Sequence, residues 1–107
     1  MFYGKHKATI DVKWRLALPL LVHEEIKDRE CLFLKRSEDG CIQVHKEVYG
    51  LTEKDFNDYY RIKIARNKAG KRLIIPKELR SSESFYFGRE VILVGFGLYF
   101  EIHPLPS

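Results

Sequence analysis

Short runs of β-prone apolar residues, each bounded by Gly, Pro, Asp or Ser, set the pattern of this chain and predict strands more than helices. Residues 7–12 and 15–18 read as two strands around a turn at Lys13-Trp14. Pro19 suits the first position of a helix running to about Ile26, because its missing N–H has no intrahelical partner there. Cys31–Lys35 and Cys41–His45 make a hairpin across Ser37-Glu38-Asp39-Gly40, where Asp-Gly favours a tight turn. Downstream, Arg61–Arg66 alternates charged and apolar residues as a half-buried strand does, 71–75 is another strand, and Pro76–Arg80 starts a second helix. Glu90–Val94 and Leu98–His103 form a last hairpin closed by Gly95-Phe96-Gly97. The polar and aromatic stretch Glu47–Tyr60 reads as a short helix and connector.

The order of elements repeats, and so do particular residues. DVKWRLALPLL at 11–21 and KAGKRLIIPKELR at 68–80 each place an Arg before three apolar residues and a Pro; Arg15 and Arg72 lie 57 positions apart, as do Pro19 and Pro76. Cys31-Leu32-Phe33-Leu34 answers Val91-Ile92-Leu93-Val94 at an offset of 60, and Gln43-Val44-His45 answers Glu101-Ile102-His103 at 58. Halves of this size are each too small to bury a core of their own. The expectation is therefore one domain over 1–107, with repeat one at about 3–46, a connector at about 47–60 and repeat two at about 61–104. Together the halves make one mainly β barrel with short helices.

A hydrophobic content of 45% is ample for a folded core, so disorder is not the default expectation. The longest apolar stretches, such as Leu16–Val22, are far too short to span a bilayer, and no charged-then-apolar leader is recognisable, so a cytoplasmic protein with no membrane partner is expected. Cys31 and Cys41 flank a turn on adjacent predicted strands, where a disulfide is conceivable, but without a signal peptide they are expected to be reduced, small core residues. The 14 aromatics are more than one small core accommodates, and Tyr49, Phe56, Tyr59, Tyr60, Phe85, Tyr86 and Phe87 fall between barrel strands. Some are expected at subunit interfaces of a homo-oligomer, where Tyr and Phe are enriched.

Charge changes the picture further. Arg61, Lys63, Arg66, Lys68, Lys71, Arg72 and Lys77 are seven basic residues with no acid among them, which leaves 12 basic against 15 acidic residues elsewhere. The positive charge is concentrated around the second copy of the repeated element. The first copy carries its own cluster of Lys5, Lys7, Lys13 and Arg15. A duplicated basic surface suits a phosphate backbone, each neutralised phosphate releasing a counterion; the plainer alternative is a solvated strand face.

Enzymatic chemistry finds no support. Asp11 lacks a second acid or a nucleophile with a base, and is expected to orient Arg15 or accept turn N–H groups. His6, His23, His45 and His103 show no metal-ligand spacing, and His45 and His103 read as strand-end surface residues. Gly95-Phe96-Gly97 and Gly70-Lys71-Arg72 lack the remaining residues of dinucleotide and P-loop motifs. No metal, cofactor or small-molecule substrate is expected.

Phe2 and Gly4, Asp11-x-x-x-Arg15 with its apolar triplet and Pro19, Gly-Lys-Arg-Leu-Ile-Ile-Pro-Lys-Glu-Leu-Arg at 70–80, and Val91–Gly95 leading to Phe100-Glu101-Ile102 together resemble the MraZ family. That family belongs to the wider AbrB and SpoVT class of DNA-binding barrels, and the likeness covers nearly the whole chain. It implies a double-split β-barrel built from two internal repeats in one chain. It further implies a bacterial, nucleoid-associated transcriptional regulator that binds short direct repeats of double-stranded DNA upstream of the division and cell-wall gene cluster, assembled as a ring. The family presents the arginine of the D-x-x-x-R element to DNA, which carries over to Arg15. A guanidinium fork can bond O6 and N7 of guanine together, so Arg15 and Arg72 are the candidates for base reading, with Lys13 and Lys71 on phosphates and Lys7 and Lys68 in the same basic clusters. Trp14 is either a surface aromatic covering a barrel edge or subunit contact, or a stacking partner for an arginine or a sugar. Three departures stand out: Trp14 replaces the usual glycine, Lys68 occupies the place of the second Asp when the copies are aligned on Arg72, and the connector is short.

Overall fold

The computed structural model describes residues 1–48, 58–67, 70–82, 85–86 and 90–104. The strands are β1 (Lys5–Thr9), β2 (Arg15–Ala17), β3 (Cys31–Arg36), β4 (Ile42–His45), β5 (Tyr60–Asn67), β6 (Gly70–Ile74), β7 (Ser81–Ser82), β8 (Phe85–Tyr86), β9 (Glu90–Gly95) and β10 (Tyr99–Pro104), with helix α1 at Leu20–Ile26 and a 3-10 turn at Lys77–Leu79. Eight strands form one antiparallel sheet in the order β1-β9-β10-β4-β3-β5-β6-β2. An Ile10–Leu16 bridge brings β2 back beside the continuation of β1, so the sheet curls into a nearly closed barrel and covers the edges that would otherwise stay unpaired.

Alternation along the strands fills the barrel. Leu16, Leu32, Leu34, Ile42, Val44, Leu73, Val91 and Ile102 are fully buried, and their sequence neighbours face outward. Helix α1 caps this core with Val22 and Ile26. Pro19 precedes the helix as its N-cap in extended conformation, one position earlier than expected, and its carbonyl accepts the Val22 and His23 N–H groups at 2.9 and 3.2 Å. The segment just beyond the helix is bonded from β5, where Arg66 Nη2 donates to Arg29 O at 2.6 Å.

The pairing maps onto itself when β1, β2, β3 and β4 are exchanged with β5, β6, β9 and β10. In β2–β6 the pair Leu16–Leu73 is its own counterpart at the 57-residue offset, and in β4–β10 so is Gln43–Glu101 at 58. A pseudo-two-fold axis therefore passes through both pairs. The strands also interlock: β1 pairs with β9, and β5 pairs with β3.

Several boundaries differ from the sequence expectation, each for a physical reason. Burial pairs Leu32 and Leu34 with Val91 and Leu93, an offset of 59 instead of 60, because a one-residue slip would turn every buried side chain outward. The bridge Ile10–Leu16 corresponds to Ile64–Leu73, with five residues between the first pair and eight between the second. The second hairpin is thus three residues longer, extending its ladder through Ala65–Arg72, Arg66–Lys71 and Asn67–Gly70. The helix expected from Pro76 is a single 3-10 turn followed by the β7–β8 hairpin. The sequence beyond Arg80 is rich in serine, a residue type poorly suited to helix interiors because its side chain competes for backbone groups. Most of the helix and connector expected at 47–60 lies outside the described residues.

Near the chain start, Phe2 exchanges backbone hydrogen bonds with Gly97, each 2.8 Å, and Gly95 N–H donates to Gly4 O at 2.8 Å. At Gly95 the two backbones approach closely, since a Cβ there would lie 2.5 Å from the Phe2 backbone.

Candidate functional site

The turn between β1 and β2 is built by Asp11. Its backbone N–H donates to Arg15 O at 3.0 Å, its carbonyl accepts Trp14 N–H at 3.0 Å, and Oδ1 accepts the N–H groups of Lys13 and Arg15, each at 2.9 Å. A three-residue loop of this kind ends on a residue in the left-handed region, a place that favours glycine. Trp14 occupies it with φ of 61°. The strained conformation is held from two sides: Trp14 O accepts Ile75 N–H at 2.9 Å, and the indole packs against the core beneath the Arg80 guanidinium, 5.4 Å from its ring centre. Trp14 therefore covers a barrel edge and stacks on an arginine, but that arginine is Arg80. Arg80 closes the second repeated element, and its Nε is fixed by donating to Ile75 O at 2.9 Å.

The β2–β6 register decides where the two repeated arginines go. Arg15 pairs with Ile74 and Ala17 with Arg72, so Arg15 and Arg72 are diagonal neighbours on the outer face, flanking the buried Leu16–Leu73 pair. Asp11 lies between them. Its Oδ2 accepts Arg15 Nε at 2.7 Å and stands 3.8 Å from Arg72 Nη1. All three side chains remain about one third exposed, at 33% for Asp11, 34% for Arg15 and 28% for Arg72. The Arg15 backbone N–H, more than any other group, holds the Asp11 carboxyl below the usual carboxylate range, and the Arg15 side chain and Lys13 N–H add to it. The ladder position equivalent to Asp11 in the second copy is Ala65, which carries no acid. Thr9, Val12, Ala17 and Glu90 complete an open depression around this group.

The remaining basic residues separate into two sets. Lys13 is exposed in the same turn, and Lys7 is exposed on β1, on the face that Thr9 shares. Lys71 Nζ instead reaches toward His23 O of α1 at 3.5 Å, Arg66 bonds the segment just beyond that helix, and Arg61 Nε donates to Cys31 Sγ at 3.2 Å. Lys68 lies outside the described residues.

At the other end of the axis the outer face carries a polar chain that the sequence expectation missed. Cys41 Sγ meets His103 Nδ1 at 3.2 Å, His103 Nε2 meets Glu101 Oε1 at 2.9 Å, Gln43 Nε2 donates to Glu101 Oε2 at 3.3 Å, and His45 Nε2 meets Gln43 Oε1 at 3.0 Å. His45 and His103 are half-buried here, not free surface residues. Burial, with Lys35 adding, lowers the His45 pKa to about 4, and burial raises the Cys41 thiol to about 12, which leaves it an unreactive thiol at neutral pH. The available signal was the 58-residue spacing of both pairs on alternating strand positions. Both cysteines are free, Cys41 buried and Cys31 half-buried. Among the described residues no group of three or more His, Cys, Asp and Glu is placed to hold a metal ion, and no helix is long and apolar enough to cross a membrane.

No family model matches the chain. It is 31% identical over 119 residues to the transcriptional regulator MraZ of Paenarthrobacter aurescens (strain TC1), a match covering 95% of this chain and 80% of that protein. The same identity and coverage hold for the transcriptional regulator MraZ of Arthrobacter sp. (strain FB24). A nearly closed barrel presenting the Asp11–Arg15 turn beside Arg72, together with this near full-length similarity, leads to one conclusion: the chain belongs to the MraZ family.

Proposed function

We propose that this protein is a sequence-specific, DNA-binding transcriptional regulator that reads short direct repeats upstream of the division and cell-wall gene cluster, through two repeats at about 3–46 and 61–104. The observation that carries this is the side-by-side placement of Arg15 and Arg72 on one outward face. Arg15 spends its Nε on Asp11, which leaves its terminal nitrogens to form a fork toward guanine O6 and N7. Exposed Lys13 and Lys7 serve the phosphates, and Lys68, which lies between β5 and β6 in the sequence, is assigned to them as well. Lys71, turned toward α1, supports that helix more than a phosphate. The protein acts without catalysis, as a homo-oligomeric ring in the cytoplasm at the nucleoid. Leu20 and Leu21, 82% and 70% exposed on α1, with Leu21 lining a depression beside Tyr3 and Met1, offer an apolar subunit contact, which would multiply weak DNA contacts.

The test is fluorescence anisotropy on a duplex with two guanine-containing direct repeats, chosen by selection from random DNA, across about 50–200 mM salt. Arg15→Ala should lose about 1–3 kcal/mol of discrimination, roughly 5- to 150-fold, with an unchanged circular dichroism spectrum, and Arg15→Lys should not restore it. Unchanged affinity in Arg15→Ala removes that residue from recognition. Flat enrichment in the selection, with a stable assembly indifferent to DNA, would favour a protein-partner module on the same barrel.

A further inference from the structure

We infer that Asp11 is a positioning residue shared by the two copies: one carboxylate aims both Arg15 and Arg72, and so couples the two reading groups across the pseudo-two-fold axis. The inference rests on the DNA-reading role proposed above. Its structural basis is the division of labour between the two carboxylate oxygens. Oδ1 is taken by the backbone N–H groups of Lys13 and Arg15, which fixes the carboxylate to the turn. Oδ2 is therefore held over the outer face, hydrogen-bonded to Arg15 Nε at 2.7 Å and within electrostatic reach of Arg72 Nη1 at 3.8 Å. The second copy supplies no acid of its own, since Ala65 occupies the equivalent ladder position. Arg15 is thereby aimed firmly and Arg72 loosely. Glu90, the other acid of the depression, makes no ion pair with either arginine among the described residues.

The arrangement also has a consequence for charge. Two guanidinium groups around one carboxylate carry a net charge of one, so the carboxylate weakens general attraction to phosphates while it orders the groups that read bases. Neutralising it should therefore move affinity and specificity in opposite directions. A carboxylate that merely shaped the turn would not do this.

The experiment uses Asp11→Asn in the full chain, because the amide oxygen can still accept the two turn N–H groups. Binding is measured on the selected repeat duplex and on a shuffled duplex of the same composition. The expected result is at least about a fivefold fall in the ratio of the two affinities, tighter binding to the shuffled duplex, and a steeper salt slope by up to about one ion. Coupling should appear in double-mutant cycles of Asp11→Asn with both Arg15→Ala and Arg72→Ala. An unchanged ratio, or coupling to Arg15 alone, overturns the shared role while leaving DNA reading intact. Loss of all dependence on Arg15 and Arg72 overturns both.

A second measurement needs neither DNA nor the Asp11 variant. The carboxyl of Asp11 is titrated by carbon NMR in the unaltered protein and in Arg72→Ala. Removing a cation that the carboxylate serves should raise its pKa. An identical titration in both proteins overturns the inference.

Discussion

Replacing Gly95 by Ala places a Cβ 2.5 Å from the backbone C and O of Phe2 and from Tyr3 N, where only backbone stands and no side chain can rotate away. Gly95 itself is not in the left-handed region, so Ala suits its local conformation and the whole cost is steric. The N-terminal segment must move by about 1 Å to reach ordinary contact distance. Three backbone hydrogen bonds of 2.8 Å span this contact, worth about 0.5–1.5 kcal/mol each. Phe2, only 4% exposed, contributes about 1.5–3 kcal/mol through burial, and its edge-to-face contact with Phe100 at 5.0 Å about 0.5–1.5 kcal/mol more. Complete release would cost the sum; a shift of this size should forfeit roughly half, about 2–4 kcal/mol. With a urea m-value of about 1.5 kcal/mol/M, the midpoint should fall by roughly 1.5–2.5 M.

Gly97→Ala is the control. Gly97 sits at φ of 84° with open space where a Cβ would go, so its cost is conformational alone, about 1–2 kcal/mol. In addition, Phe2→Ala should destabilise the Gly95→Ala protein much less than the unaltered one, because the same contacts are already lost. Urea titration of the five proteins, the unaltered one and the double variant included, settles it. If Gly95→Ala falls no further than Gly97→Ala, or if Phe2→Ala costs the same in both backgrounds, the closure of the barrel by residues 2–4 does not stabilise the fold as described.

Leu16, fully buried at the pseudo-two-fold axis against Leu73, should cost about 2–5 kcal/mol when replaced by Ala, read as a fall in the thermal midpoint; a loss below 1 kcal/mol would mean the axis is not packed. His45 should make stability fall as pH drops from about 6.5 to about 4, because over that window the unfolded chain takes up a proton that the folded one refuses. The effect should be about 1–2 kcal/mol once partial exposure is allowed for, and His45→Phe, which keeps a ring stacked on Tyr99, should remove it in urea titrations at several pH values. A separate decline is expected at lower pH. Asp11, Glu25 and Asp39 all have folded pKa values below their usual ones, so their contribution is complete above about pH 4–5 and disappears as pH falls through the folded values.

The strands were legible because each carries its own punctuation. Asp39-Gly40 and Gly95-Phe96-Gly97 fixed two hairpins to within a residue or two, with Gly40 and Gly97 both at positive φ. The register was less accessible. Matching Cys31 to Val91 by residue type gave an offset of 60, while the pleat demands 59, since only then do Leu32 and Leu34 take the places of Val91 and Leu93 inside the barrel. Residue similarity is blind to which face a side chain occupies; burial is not. The second helix failed for a related reason. Pro76 signals a start with the same force as Pro19, but only the first is followed by a run, Leu20–Ile26, able to continue a helix and bury one face of it.

For the site, the sequence located Asp11 and Arg15 as neighbours but could not join them to Arg72. Those residues are 61 positions apart from Asp11 to Arg72, and their meeting depends on the β2–β6 register, which no local pattern encodes. The internal repeat nevertheless contained the information in another form. Equivalent residues in adjacent antiparallel strands related by a two-fold must lie symmetrically about the axis. A residue one step from the self-paired Leu16–Leu73 therefore meets its own copy diagonally on the outer face. Duplication thus forces the two arginines together whatever else the copies do. What duplication does not force is equality: the second hairpin gained three residues and carries Ala65 where the first has Asp11. If one carboxylate serves two guanidinium groups, the copies are not equivalent at this point, because a change at Asp11 disturbs both guanidinium groups at once, while a change at Ala65, the ladder partner of Arg72, faces Arg72 alone.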